Sequence, residues 1–291
     1  MTQADTLKTM MRDHRTTPRP GPTGRERQPR VVCVTSGKGG VGKSNLTTNL
    51  AYALARQGKR VLVLDADLNL ANVDVLLGLT PKFNLHHMFT GEKSLREVMI
   101  DGPGGIQILP GSSGIMELSN LTETQKLYFL SEMEELNQRL DLMLIDTAAG
   151  INDNVIYFNL AAQERIVLLT PEPTSLTDAY ALIKVLSTRH DVKRFSIVVN
   201  LAQSEREAIA VFRQLSLVCD QFLGTLSLDF LGHIPYDKKL IQAVRNQRLV
   251  TVLFPETAAS RMFFKIAQQL DDNKPEPTTD GNIKFFWPQF S

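Results

Sequence analysis

Short apolar runs recur along the chain, each long enough for one strand and each ending in a small, polar or turn-forming residue. They lie at Val31–Val34, Val61–Leu64 within Arg60–Asp65, Ile106–Pro110, Leu142–Asp146, Ile166–Pro171, Phe195–Asn200 and Leu226–Pro235. Runs of this kind, apolar on both faces, are what a fully covered parallel strand requires. Between them the period changes. Leu46, Leu50 and Leu54 recur every four residues, and helical patterns cover residues 122–139, 175–190, 204–222 and 257–270. In the last of these, Ala259, Phe263, Ile266 and Leu270 form one apolar stripe suited to core packing. Strands alternating with helices predict an α/β fold, doubly wound, with a mostly parallel sheet and helices on both faces. Ligands of such sheets lie at the carboxyl ends of the strands.

The first strand leads into Gly37-Lys-Gly-Gly-Val-Gly-Lys-Ser44, and a helix follows at once. This fits G-x-x-x-x-G-K-[ST], the phosphate-binding loop of P-loop NTPases, in the strand–loop–helix context the motif needs. From Gly37 through Gly39, Gly40, Val41 and Gly42 to Asn45, backbone N–H groups and a helix N-terminus can surround a polyphosphate. Lys43 would reach the β/γ-phosphates, and the Ser44 hydroxyl would hold Mg²⁺.

Two more strand ends carry carboxylates. Asp65 and Asp67 close the second strand, spaced to face one side and suited to Mg²⁺ ligation or to orienting an attacking water. The strand Leu142–Ile145 delivers Asp146, placed as a Walker B carboxylate holding Mg²⁺. Three phosphate-binding or acidic strand ends on one sheet predict a nucleotide site.

Composition narrows the class. The 291-residue chain is 43% hydrophobic and 22% charged, with a formal charge of +1, which excludes a globally basic nucleic-acid binder. No apolar run approaches a membrane span and the N-terminus lacks a signal-type apolar core, so a cytoplasmic protein is expected. Cys33 and Cys219 are too few and too scattered for a disulfide framework or an iron–sulfur bridge. His86 and His87, without a third ligand nearby, read as surface residues, and Glu132, Glu134 and Glu135 as a solvated helix face. Residues 1–30, rich in arginine and proline, predict a flexible basic tail, with Leu7, Met10 and Met11 able to line a short partner-bound helix within residues 1–11. Residues 31–271 form the expected domain. Residues 272–291 combine a linker with the aromatic ending Ile283–Phe290, suited to docking on the body or to a membrane interface.

The loop is more specific than a generic phosphate cradle. Lys38 directly follows Gly37, and Gly37–Ser44 resembles the deviant phosphate loop of the MinD/ParA ATPases. That resemblance implies a MinD-like domain binding ATP/ADP with Mg²⁺ and closing as a homodimer, in which Lys38 reaches the nucleotide of the other subunit. It also implies that Asp67 positions the hydrolytic water, that the backbone near Gly150 senses the γ-phosphate, and that Asn200 and Ile234–Asp237, with Pro235, contact adenine. Residues 65–81, 146–151, 172–184 and 234–237 narrow the likeness to the flagellum-number regulators of the FlhG/FleN type. Asn69 departs from an expected glycine, and Thr2 and Lys8 depart from the N-terminal pattern of that group. The narrower likeness implies partners: the FlhF GTPase, a σ54-type flagellar transcription activator, flagellar switch or C-ring components, and an anionic membrane through the C-terminal tail. Competing readings are a ParA-type partition ATPase, a MinD-type division-site regulator and a metabolic phosphoryl-transfer enzyme. Direct DNA binding is not expected, since the mixed charges between Asp191 and Arg248 do not demand a basic patch.

Overall fold

The seven strand runs found in the sequence, with one further short strand, form one eight-stranded sheet, seen in a computed structural model that describes residues 29–67, 72–111, 122–137 and 139–273. The strands are β1 (Arg30–Ser36), β2 (Val61–Ala66), β3 (Ile100–Asp101), β4 (Gln107–Leu109), β5 (Leu142–Ala149), β6 (Glu164–Leu169), β7 (Arg194–Ala202) and β8 (Ser227–Pro235). Their order across the sheet is β3-β4-β2-β5-β1-β6-β7-β8. All pairs are parallel except β3 with β4.

Alternation along each strand sends side chains into separate cores on the two faces. On one face Val32, Val34, Val61, Val63, Leu142 and Leu144 pack under α1 (Lys43–Arg56) and the late helices. On the other, Cys33, Leu62, Leu64, Met143 and Ile145 meet the helices of the chain's middle, and Val167, Leu169, Ile197 and Val199 form a third cluster.

Between β2 and β5 run three short helices, α2 (Val73–Leu77), α3 (Leu85–Phe89) and α4 (Leu95–Val98), then the longer α5 (Glu123–Asn137). After β5 come α6 (Asp153–Ala161), α7 (Pro173–His190) and α8 (Glu205–Leu223), and after β8 come α9 (Lys238–Arg245), α10 (Val250–Leu253) and α11 (Ala258–Asp272). The long helices and the strands match the sequence reading. The antiparallel β3, the short α2, α3, α4 and α10, and the helix α6 carry too little period to be read in advance, and the eight-residue α9, although amphipathic, was not singled out in the sequence. The tails, Asn69 and the linker after Asn273 lie outside the described residues.

Two expectations are corrected. Glu132 is not on a solvated face: it is 8% exposed, and its carboxylate accepts the Leu95 N–H at 2.8 Å, tying α5 to the start of α4. His86 and His87 are half-buried, and the His87 ring accepts the Asn84 N–H at 3.2 Å, completing the N-terminal cap of α3.

Removal of one partner of a buried hydrogen bond leaves the other desolvated and unmatched. Glu132→Ala is therefore expected to destabilise the protein by about 1–3 kcal/mol, read as a lowered midpoint in urea denaturation.

Candidate functional site

Three strand ends, β1, β2 and β5, converge where the sheet places adjacent parallel strands in register. Asp65 sits opposite Asp146 in the β2–β5 pairing, and Val34 opposite Asp146 in the β1–β5 pairing. The phosphate loop leaves β1 beside both carboxylates.

The loop's shape depends on glycine at two places in particular. At Gly37 a Cβ would overlap the Asp178 carbonyl in the first turns of α7, so the loop lies directly on that helix. Gly42 has φ 99, a left-handed conformation, and a Cβ there would stand 2.5 Å from the Asn200 amide. Gly42 starts α1, whose N-terminal amides face the loop.

Inside, Lys43 Nζ donates to Ser36 Oγ at 3.0 Å, and Ser36 Oγ donates to the Lys38 carbonyl at 2.7 Å. Burial lowers the pKa of Lys43, opposed by the nearby charges of Asp146 and Asp67. Asp146 is 1% exposed, and burial pushes its carboxyl up to about 6 despite the Ser44 hydroxyl, Lys43 and Thr47 beside it. The Thr47 hydroxyl lies 3.3 Å from Asp146 Oδ1, a contact the sequence reading missed because a threonine one turn past the motif carries no distinct signal. Asp65 is pushed to about 7 by burial and by Asp146.

Its hydrogen bonds assign Asp65 a task different from Asp67. One oxygen accepts the Asp67 N–H at 3.1 Å, and the other accepts the N–H groups of Asn72 and Val73 at 3.0 and 3.1 Å. Asp65 thus pins both ends of the 67–72 segment. The half-buried Asp67 stands close enough to Lys43 and Asp146 to influence both.

Gly150 N–H donates to the Ser36 carbonyl at 3.0 Å, which joins the end of β5 to the root of the phosphate loop. Gly39 lies against Ala149 on the same side. Asn200, 6% exposed, donates through its amide to the Val41 carbonyl at 2.7 Å and accepts its neighbour Leu201 N–H at 2.9 Å. The residue expected at adenine therefore also braces the phosphate loop. Pro235 ends β8 opposite Ala202, and Tyr236 beyond it is 47% exposed.

Lys38 points away from its own loop. Its ammonium donates to Glu172 Oε2 at 2.7 Å and to Thr174 Oγ1 at 3.0 Å, at the start of α7. Nothing in the sequence links residues 134 positions apart, so this partner was not foreseen. Exposed ion pairs contribute about 0–1 kcal/mol, so the lysine is held but readily released.

Among the described residues no group of three or more His, Cys, Asp or Glu side chains converges as a metal cage. The hard oxygens of Ser44 and Asp146 suit a magnesium ion that takes its remaining ligands from phosphate and water. With a magnesium ion on those oxygens, Lys43 and the loop amides suit a nucleoside polyphosphate.

Such a loop, with the carboxylate of Asp146 at the end of the adjacent strand of a doubly wound sheet, defines a P-loop nucleotide-binding protein. The family described as the CobQ/CobB/MinD/ParA nucleotide binding domain matches residues 32–250, and the chain belongs to that family. It is 45% identical over 256 residues to the antiactivator FleN of Pseudomonas aeruginosa, covering 88% of this chain and 91% of that protein. It is 33% identical over 261 residues to the flagellum site-determining protein YlxH of Helicobacter pylori, covering 88% of each. Among solved structures, the septum site-determining protein MinD from Pyrococcus horikoshii, complexed with Mg-ADP, superposes with a TM-score of 0.67 at 25% identity, covering 84% of this chain and 96% of that one.

The raised carboxyl pKa values set a pH signature. A group whose folded pKa exceeds its unfolded value stabilises most below the unfolded value, near 3.8 here, and that stability is lost as pH rises through the folded one. In EDTA, the melting temperature of the native protein relative to Asp146→Asn is expected to fall as pH rises from near 3.8 to about 6 and to level off above that. Adding Mg-nucleotide should reverse the fall. Parallel melting curves across that range would contradict this charge assignment.

Proposed function

We propose that this protein is an ATP-dependent dimerising switch that hydrolyses ATP to ADP and phosphate and regulates the number and placement of flagella. The observation that carries the reading is Lys38: an exposed ammonium at the mouth of a phosphate loop that already holds Lys43 inside. One lysine serves the phosphates of its own subunit. The other is free to swing from Glu172 toward a second subunit, at a cost a developing phosphate contact easily exceeds.

In this reading Lys43, Ser44 and the N–H groups from Gly37 to Asn45 hold the phosphates, while Ser44 and Asp146 hold Mg²⁺, which supplies charge neutralisation at the β/γ-phosphates when bound. Asp67 orients the water, Gly150 reports the γ-phosphate, and Asn200 with Pro235 lies at the base. Two segments touching the terminal phosphate, together with a lysine from the twin subunit, stabilise a dimer only while that phosphate is attached. Hydrolysis is slow until a partner stimulates it.

The flagellar assignment rests on the likeness to FleN and YlxH, one described as an antiactivator and the other as site-determining. Partners consistent with it are the FlhF GTPase, a σ54-type flagellar activator and switch or C-ring components. Among the described residues no helix is long and apolar enough to cross a membrane; contact with an anionic membrane would fall to the aromatic segment 283–290.

Lys38→Ala is expected to keep ATP affinity within about twofold and to lose the ATP-dependent dimer, since an exposed, weakly paired lysine contributes little to its own subunit's site. Light scattering after size exclusion with non-hydrolysable ATP checks this; an undiminished dimer would count against the switch. In Asp67→Ala, single-turnover phosphate release should slow by about 100-fold or more, as for loss of a positioned general base, with the dimer persisting in ATP. Phosphate release at the native rate would remove Asp67 from the chemistry.

A further inference from the structure

Helix α2 follows directly on the Asp67 segment and has only five residues, far short of what holds a helix by itself in water. Its order therefore comes from outside. At its N-terminus the Asp65 carboxylate takes the N–H groups of Asn72 and Val73. Along its inner side Val73 and Leu77 enter the core with Leu249 and Val250. At its C-terminus Gly78, at φ 63, closes the helix, with Leu79 N–H on the Asp74 carbonyl and Gly78 N–H on the Val75 carbonyl.

One more group acts there. Gln247, 172 residues away in the turn between α9 and α10, donates its side-chain amide to the same Val75 carbonyl at 2.9 Å. Gln247 holds a left-handed backbone at φ 53, unusual for a residue with a side chain, and its Cβ would lie 3.4 Å from a Cβ at Gly78. The turn is itself anchored. Thr251 donates its N–H and hydroxyl to Asn49 Oδ1 at 3.2 and 2.8 Å, in the middle of the phosphate-loop helix α1. The segment from Gln247 to Thr251 thus spans from α1 to the far end of α2. Asp65 spans from the near end of α2 back to Asp67.

We propose that Gln247 is a positioning residue for hydrolysis: by holding the Val75 carbonyl it orients α2, so that Asn72 and Val73 stay on Asp65 and Asp67 keeps its place beside Lys43 and Asp146. The proposal rests on the reading of Asp67 as the water-orienting group. Gln247 touches neither phosphate nor metal in this scheme. Its loss alters the placement of Asp67 and leaves the cradle for the nucleotide intact.

Gln247→Glu tests this with nearly constant shape, because a carboxylate cannot donate to the Val75 carbonyl. Gln247→Gly is the second variant: it removes the amide while suiting the left-handed backbone, so that the amide is separated from backbone strain. For both, kcat for ATP is expected to fall about three- to tenfold, the range of one hydrogen bond's net contribution. KM, ATP affinity and melting temperature should be unchanged. Amide hydrogen exchange at Asn72 and Val73 should quicken in both variants, while exchange within α1 stays the same. Native kcat in both variants overturns the proposal, as does a kcat loss matched by an equal loss of ATP affinity or of melting temperature. Were the native protein itself to turn over no ATP, the functional reading would fail. The exchange at Asn72 and Val73 would then still decide the link, and unchanged exchange in both variants would overturn it.

Discussion

Burial of opposite charges at the end of the central strands is the constraint on which this site depends. Asp146 and Lys43 are both withdrawn from water, and burial pushes each toward its neutral form even though they stabilise one another. A pair held this way is not at its electrostatic optimum alone. A magnesium ion beside Asp146 and phosphate oxygens beside Lys43 would supply the missing opposite charges. Packing holds them in place, because the strand carrying Asp146 is covered on both faces and Lys43 opens α1, which packs on one of them.

Around this buried centre, further contacts join the loops at the strand ends. Gly150 N–H meets the Ser36 carbonyl, and the two oxygens of Asp65 accept the N–H groups of Asp67, Asn72 and Val73. Lys38 rests on Glu172 in an exposed pair. In the proposed reading, the buried groups would meet the constant part of a nucleotide and the others the part that hydrolysis removes. Such a division would suit a switch, in which small changes at one phosphate shift whole loops.

The glycines and Asn200 extend the same division to packing. Gly37 allows the phosphate loop to lie on α7, and Asn200 braces the loop from β7 through the Val41 carbonyl. The loop therefore reports to α7, where Lys38 rests, and to the strand end expected at the base. The relatives named for flagellar placement and antiactivation share this frame over most of their length.

Much of this was legible in the residues alone. Apolar runs ending in Asp65 and Asp146, and a glycine-rich loop before a Leu46–Leu50–Leu54 stripe, are local signals, and local signals specify strands, a phosphate loop and its helix. Glu132 was misread because charge pattern does not reveal that the Leu95 N–H needs a buried acceptor. The short α2 left no period to find. What is written within a few consecutive residues was thus determined by the sequence: the α/β class, the glycine-rich loop before its helix and the carboxylates at the strand ends. Only the tertiary structure decided that Lys38 rests on Glu172, that Asp65 anchors a loop, and that Gln247 reaches Val75. Each joins residues distant in the chain, and hydrogen-bond geometry between them exists only once the sheet has brought their strand ends together.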